Sequence, residues 1–186
     1  MDSNIILECF YYLSKKMDTS IDKLAGIKFL FFADRYHLRK YGRLISEDTY
    51  YALPHGPVAS NSLNILNEVM NGDNAGANKT YLNRKSENSF VAVENQYELD
   101  YLSESDIEAL DFVIEKFSNK DTWELRNLTH EYPEWKRYKN TLESNLSKRE
   151  KIIMNDFFEN ADIENDPYLT IDNEIVELSK EFYFNK

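Results

Sequence analysis

The segment that most constrains the fold is the stretch from Ile21 to Tyr41, which is long enough for a helix of about six turns. Apolar side chains occupy every side of its middle: Leu24, Ile27, Phe29, Leu30, Phe31, Phe32, Ala33 and Leu38. A helix that is apolar all round lies at the centre of a domain. Gly42 follows where a left-handed residue is expected to end the helix. We therefore expect this helix to be the buried centre of the fold.

Polar side chains return in the second half of this helix. They are Asp34, Arg35, His37, Arg39 and Lys40. We expect that half to emerge to solvent or to form a functional surface. Arg35, Arg39, Lys40 and Arg43, with tyrosines between them, also suggest a basic patch that could hold a single-stranded nucleic acid. Basic residues at a helix C-terminus also interact favourably with the negative end of the helix dipole, so the patch has a plain structural explanation.

Apolar residues at helical spacing predict further helices on both sides of the central one. Ser103 with Asp106 matches a capping-box pattern at the start of one of them, and Asp121 or Thr122 can cap another. The predicted segments are 3–16, 58–71, 103–117, 123–130, 147–160 and 172–182.

Two hairpins are predicted between the helices. Leu44-Ile45 can pair with Tyr50–Leu53, with Gly56-Pro57 ending the second strand and Pro57 opening the next helix. Residues 80–83 and 90–94 form the other hairpin. The predicted fold class is mainly α with one or two small antiparallel β-hairpins (α+β), a compact helical domain around a central buried helix.

The charge of the chain is negative and unevenly distributed. The net charge is −11, yet residues 1–93 hold 11 Lys and Arg against 10 Asp and Glu, while residues 94–186 hold 11 against 23. Such a field repels phosphates, so nucleic-acid binding is disfavoured, and it attracts a basic partner. A solvated acidic surface that maintains solubility is the alternative explanation.

Other sequence features concern location. No run of apolar residues is long enough to span a bilayer, and the start of the chain has no pattern of a secretory leader. The single Cys9 cannot form an internal disulfide, which suits a reducing compartment. We expect a cytoplasmic protein that does not engage a membrane.

The candidates for chemistry are few. Asp34 and His37 share a helix face, and with His130 they could form a small metal-dependent or hydrolytic centre. The spacing matches no metal motif, and Cys9 has no neighbouring base. A carboxylate in this position is more often an ion-pair or hydrogen-bond partner. We therefore expect no enzyme activity, cofactor or metal, and keep the enzyme hypothesis as an alternative.

Two sequence blocks together resemble the Panacea antitoxin domain family, which includes SocA-like antitoxins and phage-associated GepA-like proteins. The first block, residues 23–58, contains Lys23-Leu24, Phe32-Ala33-Asp34, His37-Leu38, Tyr41-Gly42, Ile45-Ser46, Tyr50-Tyr51-Ala52 and Gly56-Pro57-Val58. The second block, residues 124–138, contains Leu128-Thr129-His130 and Trp135. The order and separation of the blocks also fit the family.

The resemblance implies a type II antitoxin that neutralises a cognate protein toxin by direct binding, without catalysis. The toxin is expected to be basic. Alternatively, the protein is an adaptor that delivers a toxin to a protease. The implied domain is residues 1–140, with residues 141–186 as an acidic helical extension packed on or appended to it. Candidate partner-binding or family-motif residues are Asp34, His37, Tyr41, His55, His130 and Trp135, and structural ones are Gly42, Gly56 and Pro57.

We further expect Asp34, His37, Tyr41 and His55 to form a polar pocket on the binding face. Partner specificity is expected in the loops and the acidic tail rather than in the motif residues. The two tryptophans, Trp123 and Trp135, are predicted to pack in the core or between helices, although an exposed tryptophan is also a typical interface anchor.

Overall fold

The computed structural model describes residues 2–185, which form eight α-helices, six short strands and two 3₁₀ turns. The helices are α1 (Ser3–Met17), α2 (Lys23–Tyr41), α3 (Ser60–Met70), α4 (Glu104–Phe117), α5 (Thr122–Thr129), α6 (Pro133–Lys136), α7 (Lys139–Glu143) and α8 (Asn173–Phe184). The strands are β1 (Ile21–Asp22), β2 (Tyr50–Leu53), β3 (Gly56–Ala59), β4 (Leu82–Arg84), β5 (Ser89–Ala92) and β6 (Glu150–Lys151). The 3₁₀ turns are Met154–Phe158 and Pro167–Thr170.

Helix α2 is the centre of the fold, as predicted. It packs against α4, α5 and α8, and its apolar residues join the main core. Asp22 caps its start by accepting hydrogen bonds from the backbone N–H groups of Leu24 and Ala25. The helix therefore begins two residues later than Ile21, which lies in β1. Gly42 ends it in the left-handed region with φ 69°, which confirms the predicted C-cap.

The second half of α2 does not emerge to solvent, contrary to the expectation from its polar residues. Asp34, Arg35 and His37 are fully buried, and Arg39 is 1% exposed. The carboxyl-terminal segment folds back over Arg35 and Arg39, because the 3₁₀ turn Met154–Phe158 and α8 both pack against α2. The two arginines donate to carbonyl oxygens of that segment. Asp34 instead faces the loop after α2, and His37 faces α4.

Two three-stranded antiparallel sheets flank the helices, with strand orders β3-β2-β6 and β1-β5-β4. The predicted pairing of Leu44-Ile45 with Tyr50–Leu53 is wrong, because β2 pairs with Gly56–Ala59 in a tight hairpin. Pro57 therefore lies within β3 rather than at the start of a helix. The second predicted hairpin is confirmed, since β4 pairs with β5. The structure is thus mainly α with two small sheets, as the sequence predicted.

Local capping signals located several helices correctly. Ser103 and Asp106 form a reciprocal capping box at the start of α4, and Asp121 does the same with Glu124 in α5. Helix α3 is capped from a distance, because the Asp48 carboxylate accepts hydrogen bonds from the N–H groups of Asn61 and Ser62.

The carboxyl-terminal segment is less helical than predicted. Residues 147–160 form β6 and a 3₁₀ turn rather than a helix, because β6 pairs with β2 and the N–H of Ile152 donates to the carbonyl oxygen of Tyr50 at 3.0 Å. The last predicted helix is present as α8. Across residues 2–185, no helix combines the length and apolarity that crossing a membrane requires.

Candidate functional site

The turn of the β2–β3 hairpin is held by donors from three helices, and the two sequence blocks meet here. Lys28 Nζ of α2 donates to the carbonyl oxygen of Pro57 at 2.8 Å. An Arg126 guanidinium nitrogen of α5 donates to the carbonyl oxygen of Pro54 at 2.9 Å. Trp135 Nε1 of α6 donates to the carbonyl oxygen of Leu53 at 2.7 Å. These three bonds fasten the hairpin to α2, α5 and α6.

Gly56 allows this close approach. Its φ of 98° lies in the region that favours glycine. A Cβ atom here would lie 2.6 Å from Thr129 Oγ1 and 2.7 Å from Lys28 Nζ. The glycine of the first sequence block therefore contacts the threonine of the second. Both are fold-forming residues, as was expected for Gly56.

Lys28 is fully buried, which is unusual for an amine. Burial, together with the nearby positive charge of Arg126, lowers its pKa to about 7. The sequence did not single out Lys28 as a site residue. Its position in the apolar first half of α2 was the available signal.

The histidines of this region have different environments. The His130 ring stacks on Trp135 with a centroid distance of 3.5 Å, and its Nε2 atom is buried without a hydrogen-bond partner. Burial and the positive charges of Arg126 and Lys28 lower the pKa of His130 to about 3, so its ring is neutral at pH 7. His55 is exposed at the hairpin tip, edge-on to the Trp123 ring at 6.2 Å.

The two tryptophans behave differently. Trp135 is buried as predicted. Trp123 is 61% exposed, so it does not pack in the core, and the exposed alternative applies to it. Helix α5 turns Leu125 and Thr129 inward, and this leaves Trp123 on the outer face.

Asp34 forms a second network with the loop after α2. One carboxylate oxygen accepts from the Ser46 N–H at 3.0 Å, and the other accepts from the Tyr50 hydroxyl at 2.7 Å and from the Ser46 hydroxyl. Burial raises the pKa of Asp34 to about 6, although these hydrogen bonds oppose the shift. The carboxylate acceptor positions are occupied by the chain itself, and the contacts fasten the loop onto α2.

His37 and Tyr41 form a third network with α4. His37 Nδ1 donates to the carbonyl oxygen of Arg43 at 2.9 Å, and Nε2 lies 2.9 Å from Ser105 Oγ and 3.2 Å from Asp106 Oδ1. Burial lowers the pKa of His37. The Tyr41 hydroxyl donates to the Glu108 carboxylate, which also pairs with Lys40.

The four residues of the expected basic patch also have internal partners. Arg35 pairs with the buried Glu134 carboxylate and donates to the carbonyl oxygens of Phe157 at 3.1 Å and Glu159 at 2.6 Å. Arg39 donates to the same two carbonyl oxygens, at 3.2 Å each. Lys40 pairs with Glu108, and Arg43 with Asp106. Arg35 and Arg39 are therefore buried anchors for the carboxyl-terminal segment.

The predicted site residues thus lie in separate networks around α2. Asp34 faces the 42–50 loop, His37 and Tyr41 face α4, and His55, His130 and Trp135 surround the hairpin turn. Within residues 2–185, no three histidine, cysteine or acidic side chains are grouped so that they could hold a metal ion.

The fold and these networks define a small α+β domain whose motif residues secure its own backbone. Residues 27–136 match the family described as antitoxin SocA-like, Panacea domain. This match spans more than half of the chain, and the chain therefore belongs to the SocA-like Panacea antitoxin family. The resemblance seen in the two sequence blocks is confirmed. No curated protein and no solved structure shows significant similarity to the chain.

Proposed function

We propose that this protein is the antitoxin of a type II toxin–antitoxin system and that it neutralises a protein toxin by binding it directly. The observation that carries this proposal is the family match over residues 27–136, because that family is one of antitoxins. The motif residues hold the fold together, which leaves partner recognition to exposed surfaces elsewhere on the domain.

The neutralisation is proposed to need no catalysis by this chain. The environments of Asp34 and His37 support this view, because backbone N–H and C=O groups and hydroxyls of the same chain already occupy their polar atoms. A general base has to reach a substrate proton, and neither side chain is exposed.

The proposed toxin is basic and the complex is cytoplasmic. The excess of acidic residues in 94–186 supports a basic toxin, since opposite charge accelerates the encounter of the two proteins and excludes wrong partners. A protein that masks its toxin in this way inhibits only the toxin molecules that are bound to it.

A growth-rescue experiment tests the proposal. The gene adjacent to the one for this protein is expressed in a bacterial host from an inducible promoter, alone and together with this protein. We expect growth arrest alone and recovery on co-expression, with the two proteins co-purifying. Recovery without co-purification would contradict direct binding.

The same experiment separates the alternatives. The toxin level is measured during rescue in hosts with and without their main cytoplasmic proteases. A constant toxin level supports masking, whereas a level that falls only in the protease-containing host supports the adaptor hypothesis. The His130→Phe variant keeps the stacked ring but removes the imidazole nitrogens, so retained rescue by this variant contradicts an enzyme that uses His130.

A further inference from the structure

Helix α8 is firmly held on one side. Val176 and Ser179 are buried against the domain, and the Tyr183 ring contacts Phe158 at a centroid distance of 6.1 Å. Gly42 at the end of α2 lies so close that a Cβ atom there would be 2.9 Å from the carbonyl oxygen of Ser179. The helix is thus a rigid part of the domain surface.

A neighbouring side of α8 carries a partly exposed apolar stripe. Ile175, Leu178 and Phe182 are 42%, 63% and 57% exposed. Phe182 also packs over Gly42, where a Cβ atom would lie 2.7 Å from its ring. Their spacing of three and four residues places them in one row along the helix. Exposed large apolar side chains in a row are typical of an interaction surface.

A groove continues this stripe towards α2. A cavity of about 280 Å³ lies between the two helices, and Tyr36, Lys40 and Tyr41 of α2 line it together with Ile171 and Ile175. The Lys40 charge is paired with Glu108 of α4. Tyr41 was a candidate partner-binding residue from the sequence, and the groove brings it beside the tail. The groove offers room for an apolar side chain of a partner.

Three glutamates run beside the stripe on its outer flank. Glu174, Glu177 and Glu181 are exposed and also follow a spacing of three and four residues. Two copies of this surface would place like charges opposite each other, which opposes self-association. A basic partner has the complementary charge. We call the stripe, the glutamates and the groove the α8 face.

We propose that the α8 face binds a basic amphipathic helix of a partner protein. The apolar side of that helix packs on Leu178 and enters the groove beside Ile175, while its lysines or arginines lie along the glutamates. This proposal rests on the proposed function in that the partner is the toxin. The α8 face lies mainly outside the residues that match the family.

The direct test uses a synthetic amphipathic peptide with leucines on one helical face and lysines on the adjoining face. Binding to the full protein is measured by calorimetry, with a matched peptide in which glutamate replaces lysine. We expect the lysine peptide to bind, and Leu178→Gln and Glu177→Lys each to weaken it about tenfold.

Matched controls come from exposed positions elsewhere. Leu146 is 83% exposed, and Leu146→Gln removes a comparable apolar side chain away from α8. Glu115→Lys reverses an exposed glutamate of α4 whose side chain is 71% exposed. Both controls are expected to bind the lysine peptide as tightly as the wild type. Equal thermal midpoints of all four variants establish that the fold is retained.

Three results would overturn the proposal: no binding of the lysine peptide, equal binding of both peptides, or equal affinity of the α8 variants and the controls. A wild-type dimer that Leu178→Gln dissociates would also overturn it, because the face would then join two copies of this chain. Failure of the growth rescue by wild-type protein bears on the proposed function alone, so the two failures are distinguishable.

Discussion

Lys28 Nζ and the carbonyl oxygen of Pro57 are joined by a hydrogen bond of 2.8 Å in a fully buried environment. The bond connects the middle of the central helix to a strand of the small hairpin. It also places an amine where the charged form is disfavoured, so the stability of the domain depends on the protonation of one side chain.

The pH dependence of stability should reveal this amine. Burial lowers the Lys28 pKa to about 7 from an ordinary value of 10.5. Between these two values the unfolded chain binds a proton that the folded chain has released, so stability rises with pH, by up to roughly 1.4 kcal/mol per unit. Below pH 7 both states are protonated and the full penalty of burying the charge remains.

The measurement compares wild type with Lys28→Met by urea unfolding at several pH values from 7 to 9. The wild type should gain stability relative to the variant as the pH rises, because the other titrating groups are common to both proteins. Parallel curves for the two proteins would show that the Lys28 amine keeps its ordinary pKa.

Gly56→Ala should destabilise the domain far more than Gly72→Ala. Both glycines have a positive φ, 98° and 89°, so the backbone strain on substitution is similar. At Gly56 the new Cβ would clash with Thr129 Oγ1 and Lys28 Nζ. A Cβ added at Gly72 would have no non-neighbouring atom within 4 Å. We expect about 1 kcal/mol from strain at both sites and about 1–3 kcal/mol more at Gly56. Thermal unfolding of the two variants measures this difference, and equal losses would refute the close approach.

Asp34→Ala should cost about 3 kcal/mol or more of unfolding free energy. The change removes the acceptor of the Ser46 N–H, the Ser46 hydroxyl and the Tyr50 hydroxyl. A buried donor that is left without an acceptor costs the folded state the full desolvation penalty of that group. The exposed Asp162→Ala serves as control and should leave the urea midpoint unchanged. A small effect of Asp34→Ala would mean that this carboxylate is not a structural acceptor.

Arg35→Met should destabilise the domain by about 3 kcal/mol or more, because it leaves the Glu134 carboxylate buried without its cation. Replacing Glu134 by leucine in the same variant should recover part of that loss. Urea unfolding of the two single variants and the double variant forms the cycle that measures the coupling. Additive effects would show that the two side chains are not coupled.

Hydrogen exchange offers a second measurement on Arg35→Met. Arg35 donates to the carbonyl oxygens of Phe157 and Glu159, so amides of the 154–160 segment should exchange faster in the variant than in the wild type. Amides of α1, which lies outside this network, should keep their protection.

Local signals in the sequence were sufficient for most helices. The caps at Asp121, Ser103 and Gly42 depend on side chains and backbone within a few residues, and all three are present in the structure. The central position of α2 followed from its apolar circumference. Such features are encoded close to where they act.

Features that depend on distant partners could not be read in this way. Gly56 and Pro57 look like the end of a strand, but Lys28 and Thr129 contact them within a hairpin. Residues 147–160 have helical apolar spacing. Their backbone groups nevertheless form hydrogen bonds with β2 and with the arginines of α2. Arg35 and Arg39 indicated an exposed surface because the Phe157 and Glu159 carbonyl oxygens that bind them lie more than a hundred residues away in the sequence.

The partners of Arg35 and Arg39 in the carboxyl-terminal segment are mainly carbonyl oxygens, at Phe157 and Glu159. Every residue supplies such an oxygen, whatever its side chain. Substitutions along that segment can therefore alter the outer surface while the attachment to α2 stays the same. A chain built in this way can exchange its recognition surface without rebuilding its core.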